Sequence, residues 1–170
     1  MCSPKVHVIQ SLTASALLYP AIGVNVIPFG LATVFIDLDH VIEYANDTRS
    51  LNILGFFPYS RFMGQNAGKN FLALNIFHTF EFYLFVFMLA TIFPLFYYVL
   101  SGFLFHHMAD QVFLIKIGKP FVRAFFVIEY FIRRRNSEYA ISIKDILKKE
   151  KKDLVGIDNL EKWLIRWGIK

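Results

Sequence analysis

Residues 102–110 read Gly102-Phe103-Leu104-Phe105-His106-His107-Met108-Ala109-Asp110, which sets an imidazole and a carboxylate four residues apart inside an apolar run. On a helix those two side chains share one face. Ionisable groups in so apolar a setting are costly to desolvate without a partner, and a metal ion is the partner that His-x-x-x-Asp fits best. The competing reading is a helix end dipping into lipid headgroups. Three further groups carry the same chemistry: His7 alone, Asp37-Leu38-Asp39-His40, and His78 with Glu81 about one turn later.

The elements that must position these residues follow from composition. The chain has 170 residues, 56% hydrophobic and 20 of them Phe, with a mean hydropathy of +0.47. That is far more apolar than a soluble domain of this size, and it predicts an all-α integral membrane protein. Lys and Arg are absent from residues 6–48 and 70–115. A single cysteine, Cys2, excludes an internal disulfide framework. Only Lys5 precedes the first apolar run, which continues past any plausible cleavage position, so no signal peptide is expected. Internal repeats, Gly-rich phosphate loops, nucleophile elbows and Cys clusters are all missing, and nothing suggests a nucleic-acid partner.

Residues 6–36 are too long for one span of about 20 residues unless strongly tilted. Pro20 and Pro28 interrupt them, and the backbone restriction before a proline predicts a helical hairpin, 6–19 and 21–36, turning at Tyr19-Pro20. One long tilted span is the alternative. A polar connection, 43–69, contains an apolar piece at 53–59 suited to the membrane surface. Two spans, 71–92 and 96–117, meet at the short turn Phe93-Pro94-Leu95 and must be antiparallel. Residues 121–132, flanked by Arg123 and Arg133-Arg134-Arg135, predict an interfacial helix. The tail carries Lys148-Lys149-Glu150-Lys151-Lys152, then Leu160, Trp163, Leu164 and Trp167 at helical spacing. The expected organisation is a bundle of about four transmembrane helices over 1–119, an interfacial helix over 120–135 and a basic tail over 136–170.

Lys5, Arg49, Arg61, Lys69, Lys116 and Lys119 all fall on one side of this arrangement, and the turns near Pro20 and Pro94 carry no charge. The positive-inside rule makes that side the cytoplasm, with both termini inside and the basic segments facing anionic lipid headgroups.

The same topology gathers the chemistry. His7 begins the first helix, Asp37, Asp39 and His40 end the second, His78 and Glu81 lie early in the third, and His106 and Asp110 late in the fourth. All fall near the cytoplasmic face, where a four-helix bundle can build a metal site. Asp37, Asp39, His40, His78, His106 and Asp110 are the leading ligand candidates. His7 is divided between ligation and snorkelling at the interface. His107 points about 100° away from His106 and suits a supporting position. Mixed imidazole and carboxylate ligands favour Zn first, then Mn or Fe, over Ca or Mg, and six or more ligands would serve two ions. Asp39 is the candidate general base, or else orients a ligand histidine. Glu81 is divided between the site and a hydrogen bond to another helix.

Phe35-Ile36-Asp37-Leu38-Asp39-His40, Asn75-Ile76-Phe77-His78-Thr79 and residues 102–110, in this order after an N-terminal His7, resemble the membrane-bound metal-dependent hydrolase family of bacterial inner-membrane proteins. That family reads roughly Pro-Asp-x-Asp-His, His-Arg-Gly-x-Thr-His and Gly-x-x-x-His-x-x-x-Asp. The resemblance covers residues 7–110 and implies a bacterial inner-membrane location and metal-dependent hydrolysis. The chain departs from it at Ile36, where the family has Pro, at Asn75, where it has Gly, and at Ala73, where it has the first His of the middle motif. Glu81 could stand in for that histidine. The His-x-x-x-Asp element is also similar to one in zinc-dependent phospholipases.

The functional expectation is a membrane hydrolase that cleaves an ester or phosphoester, of a lipid by virtue of its depth, at the cytoplasmic face. The alternative is a non-catalytic metal-binding membrane protein, either a structural subunit or an inactive relative. A divalent-ion carrier would need ionisable residues across the midplane, and the turns near Pro20 and Pro94 offer none.

Overall fold

Helix α1, Pro4–Ile22, runs straight through Pro20 and ends only where Gly23, at φ 56°, supplies a left-handed residue. The computed structural model describes residues 4–48, 51–65 and 72–136, and over these the protein is all-α. After a short 3-10 turn, Gly23–Asn25, the chain returns as α2, Val26–Phe35. The hairpin therefore forms, but its turn falls three residues later than the proline predicts. Reversal needs positive φ, which Gly23 adopts freely, whereas a helix in an apolar setting can carry a proline.

Four more helices follow in order: α3, Leu38–Thr48; α4, Ile53–Gln65; α5, Phe80–Ile92; and α6, Leu95–Lys116. A last helix, α7, covers Val127–Arg134. Residues 43–65, expected as a polar connection, are thus largely helical. Neither of the spans expected at 71–92 and 96–117 is long and apolar enough to cross a membrane, although helix covers nearly all of the second; the first is shortened to α5. The reason lies in the backbone before it. Ala73 and Arg123 form a parallel bridge. The Ala73 N–H donates to the Val122 carbonyl at 3.4 Å, and the Ala124 N–H to the Ala73 carbonyl at 3.2 Å. A segment held in that extended pairing cannot also be helix. The same bridge makes 121–126 irregular, so the helix expected at 121–132 starts at Val127 instead. The basic run at 148–152 and the amphipathic pattern at 160–167 lie outside the described residues.

Val6–Ala45 is the one stretch among the described residues long and apolar enough to cross a membrane, and Phe80–Ile92 is a shorter apolar helix. Within Val6–Ala45 the chain folds back on itself, since the Ser11 hydroxyl donates to the Gly30 carbonyl at 2.8 Å. Packing between helices uses small residues. A Cβ on Gly102 would lie 2.3 Å from the Phe29 carbonyl oxygen and 3.0 Å from the Ala32 Cβ, so α6 and α2 touch backbone to side chain. Thr33, buried in that contact, donates its hydroxyl to Phe29 at 2.9 Å and to Gly102 at 3.3 Å.

Apolar side chains lie outside as well as inside, and many polar ones are buried. Leu12, Leu17, Val24, Ile92 and Met108 are all exposed by two thirds or more, while His7, Asp39, His40, Asn75, His78, His106, Asp110 and Arg123 are buried alongside apolar residues such as Phe29, Ile36, Tyr59 and Leu72. Burying such polar groups is costly unless they are partnered, so they gather together.

Candidate metal centre

The polar interior sits at one end of the α1, α2 and α6 packing, where the chain enters α1, leaves α2, approaches α5 and nears the end of α6. His7, His106 and Asp110 each offer a ligand atom within 4.8 Å of the others, and so do Asp37, His40 and His78. These two triads hold four of the chain's five histidines. They are joined through Asp37. Its Oδ1 lies 3.3 Å from His106 Nε2, 3.4 Å from His40 Nε2 and 4.0 Å from His78 Nε2. Its Oδ2 lies 3.9 Å from His7 Nε2. One carboxylate therefore faces all four imidazoles.

Three of the four imidazoles have a partner on the side away from Asp37. His106 donates Nδ1–H to the Thr33 carbonyl at 2.8 Å. His78 donates Nδ1–H to Asp39 Oδ2 at 3.0 Å. His40 Nδ1 lies 3.4 Å from Glu43 Oε2, which can only accept, and 3.1 Å from Asn75 Nδ2, which can only donate, so its tautomer is set by which of the two it engages. A proton placed on Nδ1 leaves Nε2 with a lone pair, the arrangement that second contacts impose on metal-binding histidines. His7 stacks on His106 with ring centroids 4.2 Å apart.

Donor chemistry and burial together fit a divalent ion. The Nε2 atoms of His78 and His106 and Oδ1 of Asp110 are buried with no hydrogen-bond partner. Buried polar atoms are seldom left so. Lone pairs that face one another repel unless something positive lies between them, and two imidazoles with a carboxylate suit Zn, Mn or Fe.

Arg123 belongs to this cluster although nothing in its sequence surroundings marks it. It is buried, and Nη2 donates to Asp110 Oδ2 at 2.8 Å. Burial works against the guanidinium charge, but Asp110, Asp39 and Asp37 outweigh it and hold the Arg123 pKa above its ordinary value. The Ala73 bridge is what delivers it. Where the resemblance places a histidine, the chain uses backbone pairing to bring in a residue 50 positions later, a long-range contact with no local signal.

Two of the sequence candidates lie elsewhere. Glu81 is exposed, and its Oε1 accepts the Val127 N–H at 3.0 Å, so it anchors the start of α7 and does not reach the cluster. The α-helical proximity to His78 fails because His78 precedes α5, in a 3-10 turn, and the two do not share a helix face. His107 lies beside the site, with Nδ1 3.0 Å from the Tyr83 hydroxyl. Asp39 stands behind His78, where it orients the imidazole.

No family model, curated protein or solved structure matches this chain.

Proposed function

We propose that this protein is an integral membrane metal-dependent hydrolase that cleaves an ester or phosphoester of a lipid at the cytoplasmic membrane face. The observation that carries the reading is the pair of His/Asp triads sharing Asp37. His7, His106 and Asp110 would hold one ion, and His40 and His78 a second, with Asp37 between them. A divalent ion in such a place polarises a phosphoryl or carbonyl oxygen and lowers the pKa of water to about 7. The chain's own residues orient and charge the site. Asp39, Thr33 and Glu43 lie against three of the imidazoles, and Arg123 donates to Asp110.

Charge supports two ions over one. Asp37, Asp39, Glu43 and Asp110 oppose a single guanidinium, which leaves three negative charges in a poorly solvated region when the imidazoles are neutral. Burial of uncompensated charge is strongly unfavourable. Two divalent ions turn that surplus into one net positive charge.

Membrane residence is supported by the exposed apolar surface and by helix length. Helices α1 and α6, of 19 and 22 residues, extend about 28 and 33 Å, close to the hydrocarbon thickness of about 30 Å. In this reading α1, α2, α5 and α6 are the four membrane helices. The turns at 23–25 and 93–94 are uncharged, while Lys116 and Lys119 stand at the metal end, which orients that end to the cytoplasm.

Metal content of the detergent-purified chain tests the proposal. About two equivalents of Zn, Mn or Fe, lost on His78→Ala and Asp110→Ala in turn, supports it and directs screening to lipid esters and phosphoesters; no bound metal, or full retention in both variants, refutes it.

A further inference from the structure

A cavity of about 210 Å³ leads to the metal centre, and its two ends differ in kind. Its floor is His7, Asp37, His40 and Asp110, members of both triads. Its walls are Val8, Val34, Phe35, Leu38, Val41 and Phe56, from α1, the α2–α3 junction and α4. Besides the floor, Ser60 is the one polar lining residue. Phe35 is 52% exposed and Leu38 48%, and Ile9, Leu31 and Ile42, each next to a lining residue or one helical turn from one, are exposed as well. Exposed apolar side chains therefore border the cavity.

We propose that this cavity is a subsite for one aliphatic chain, and that the substrate is a single-chain phosphoester amphiphile reaching the site laterally from the bilayer; the inference rests on the hydrolase reading. A sugar phosphate or nucleotide would desolvate its hydroxyls and ring nitrogens against walls with one hydroxyl to offer. A methylene chain gains from the same walls, by about fourfold in affinity for each group taken out of water. The volume is below the roughly 300–1,000 Å³ of clefts that enclose drug-sized ligands, so it admits one chain and not a pair. An anionic phosphoryl group at the floor matches the net positive charge of a site loaded with two divalent ions. In the hydrolysis, a water oxygen bonds to phosphorus as the bond from phosphorus to the alcohol oxygen breaks, and the water proton passes to the departing alcohol.

The test uses the full chain in phosphatidylcholine nanodiscs, loaded with Mn²⁺, and measures binding of ethylphosphonate and octylphosphonate through paramagnetic relaxation of ³¹P. Octylphosphonate should bind at least about tenfold more tightly than ethylphosphonate, given the gain per methylene. Val41→Trp narrows the cavity while every candidate ligand is kept, and should bring octylphosphonate down to the ethylphosphonate level with Mn²⁺ still bound. Leu38→Trp, at the exposed mouth, should do the same and serves where Val41→Trp does not fold. Partition of octylphosphonate into lipid is common to all three proteins and cancels in the comparison. Equal affinity for both phosphonates, or a chain-length preference that survives both variants, overturns the inference and leaves the metal centre standing. Failure to take up any of Zn²⁺, Mn²⁺ and Fe²⁺ overturns the hydrolase reading and this inference together.

Discussion

His78 donates its Nδ1–H to Asp39 across 3.0 Å, a bond between residues 39 positions apart that fixes which nitrogen of the imidazole faces Asp37. Asp39 is two residues from Asp37 and next to His40 in sequence, yet its one side-chain hydrogen bond to a histidine of the cluster goes to His78. Asp39→Asn keeps the shape and removes the acceptor charge. It should weaken metal binding by about 10–100-fold, the usual effect of losing such a support, while the fold persists. Chelator-competition titration measures this, and unchanged affinity would remove the orienting role.

Stoichiometry separates the triads. His106→Ala should leave about one ion per chain, held by Asp37, His40 and His78, and His78→Ala should leave about one in the other triad. Asp37→Ala should reduce both, because its oxygens face imidazoles of each group. Elemental analysis by mass spectrometry reads the counts. Loss of both ions on either histidine substitution would mean a single site.

In the metal-free chain, Arg123→Met leaves Asp110 buried without its guanidinium partner, which costs about 3–5 kcal/mol for a broken buried pair. Arg123→Met with Asp110→Asn should recover much of that stability, since the stranded charge is gone, without restoring metal binding. Unfolding in mixed detergent micelles gives the two differences.

Gly102→Ala places a methyl against the Phe29 carbonyl, 2.3 Å away before relaxation. The helices must part, at a cost of about 1–3 kcal/mol. His106 is one turn from Gly102, and its Nδ1–H bond to Thr33 spans the same contact, so metal affinity should fall with stability. A stable variant with intact metal binding would show that α2 and α6 do not approach so closely.

Glu81→Gln should leave metal content and affinity unchanged and alter stability by no more than about 1 kcal/mol, the net worth of its bond to Val127. Loss of metal would return Glu81 to the site.

Residue types and spacing determined the ingredients of the centre. Imidazoles and carboxylates stranded in apolar sequence need partners, because burial without one is costly, and the apolar runs with their short turns bring the ends carrying them together. Helical character followed from the same constraint, since backbone groups in an apolar setting must bond within their own segment. Tertiary structure decided the rest. The position of the first turn depended on Gly23 and its positive φ, a backbone choice that the nearby Pro20 obscured. The fate of residues 72–79 depended on pairing with 122–124, and that single long-range bridge shortened α5, moved Glu81 out of reach and brought Arg123 in. Asp37 and Asp39 are chemically identical and two residues apart. Only the fold distinguishes them, by turning one toward four imidazoles and the other behind His78.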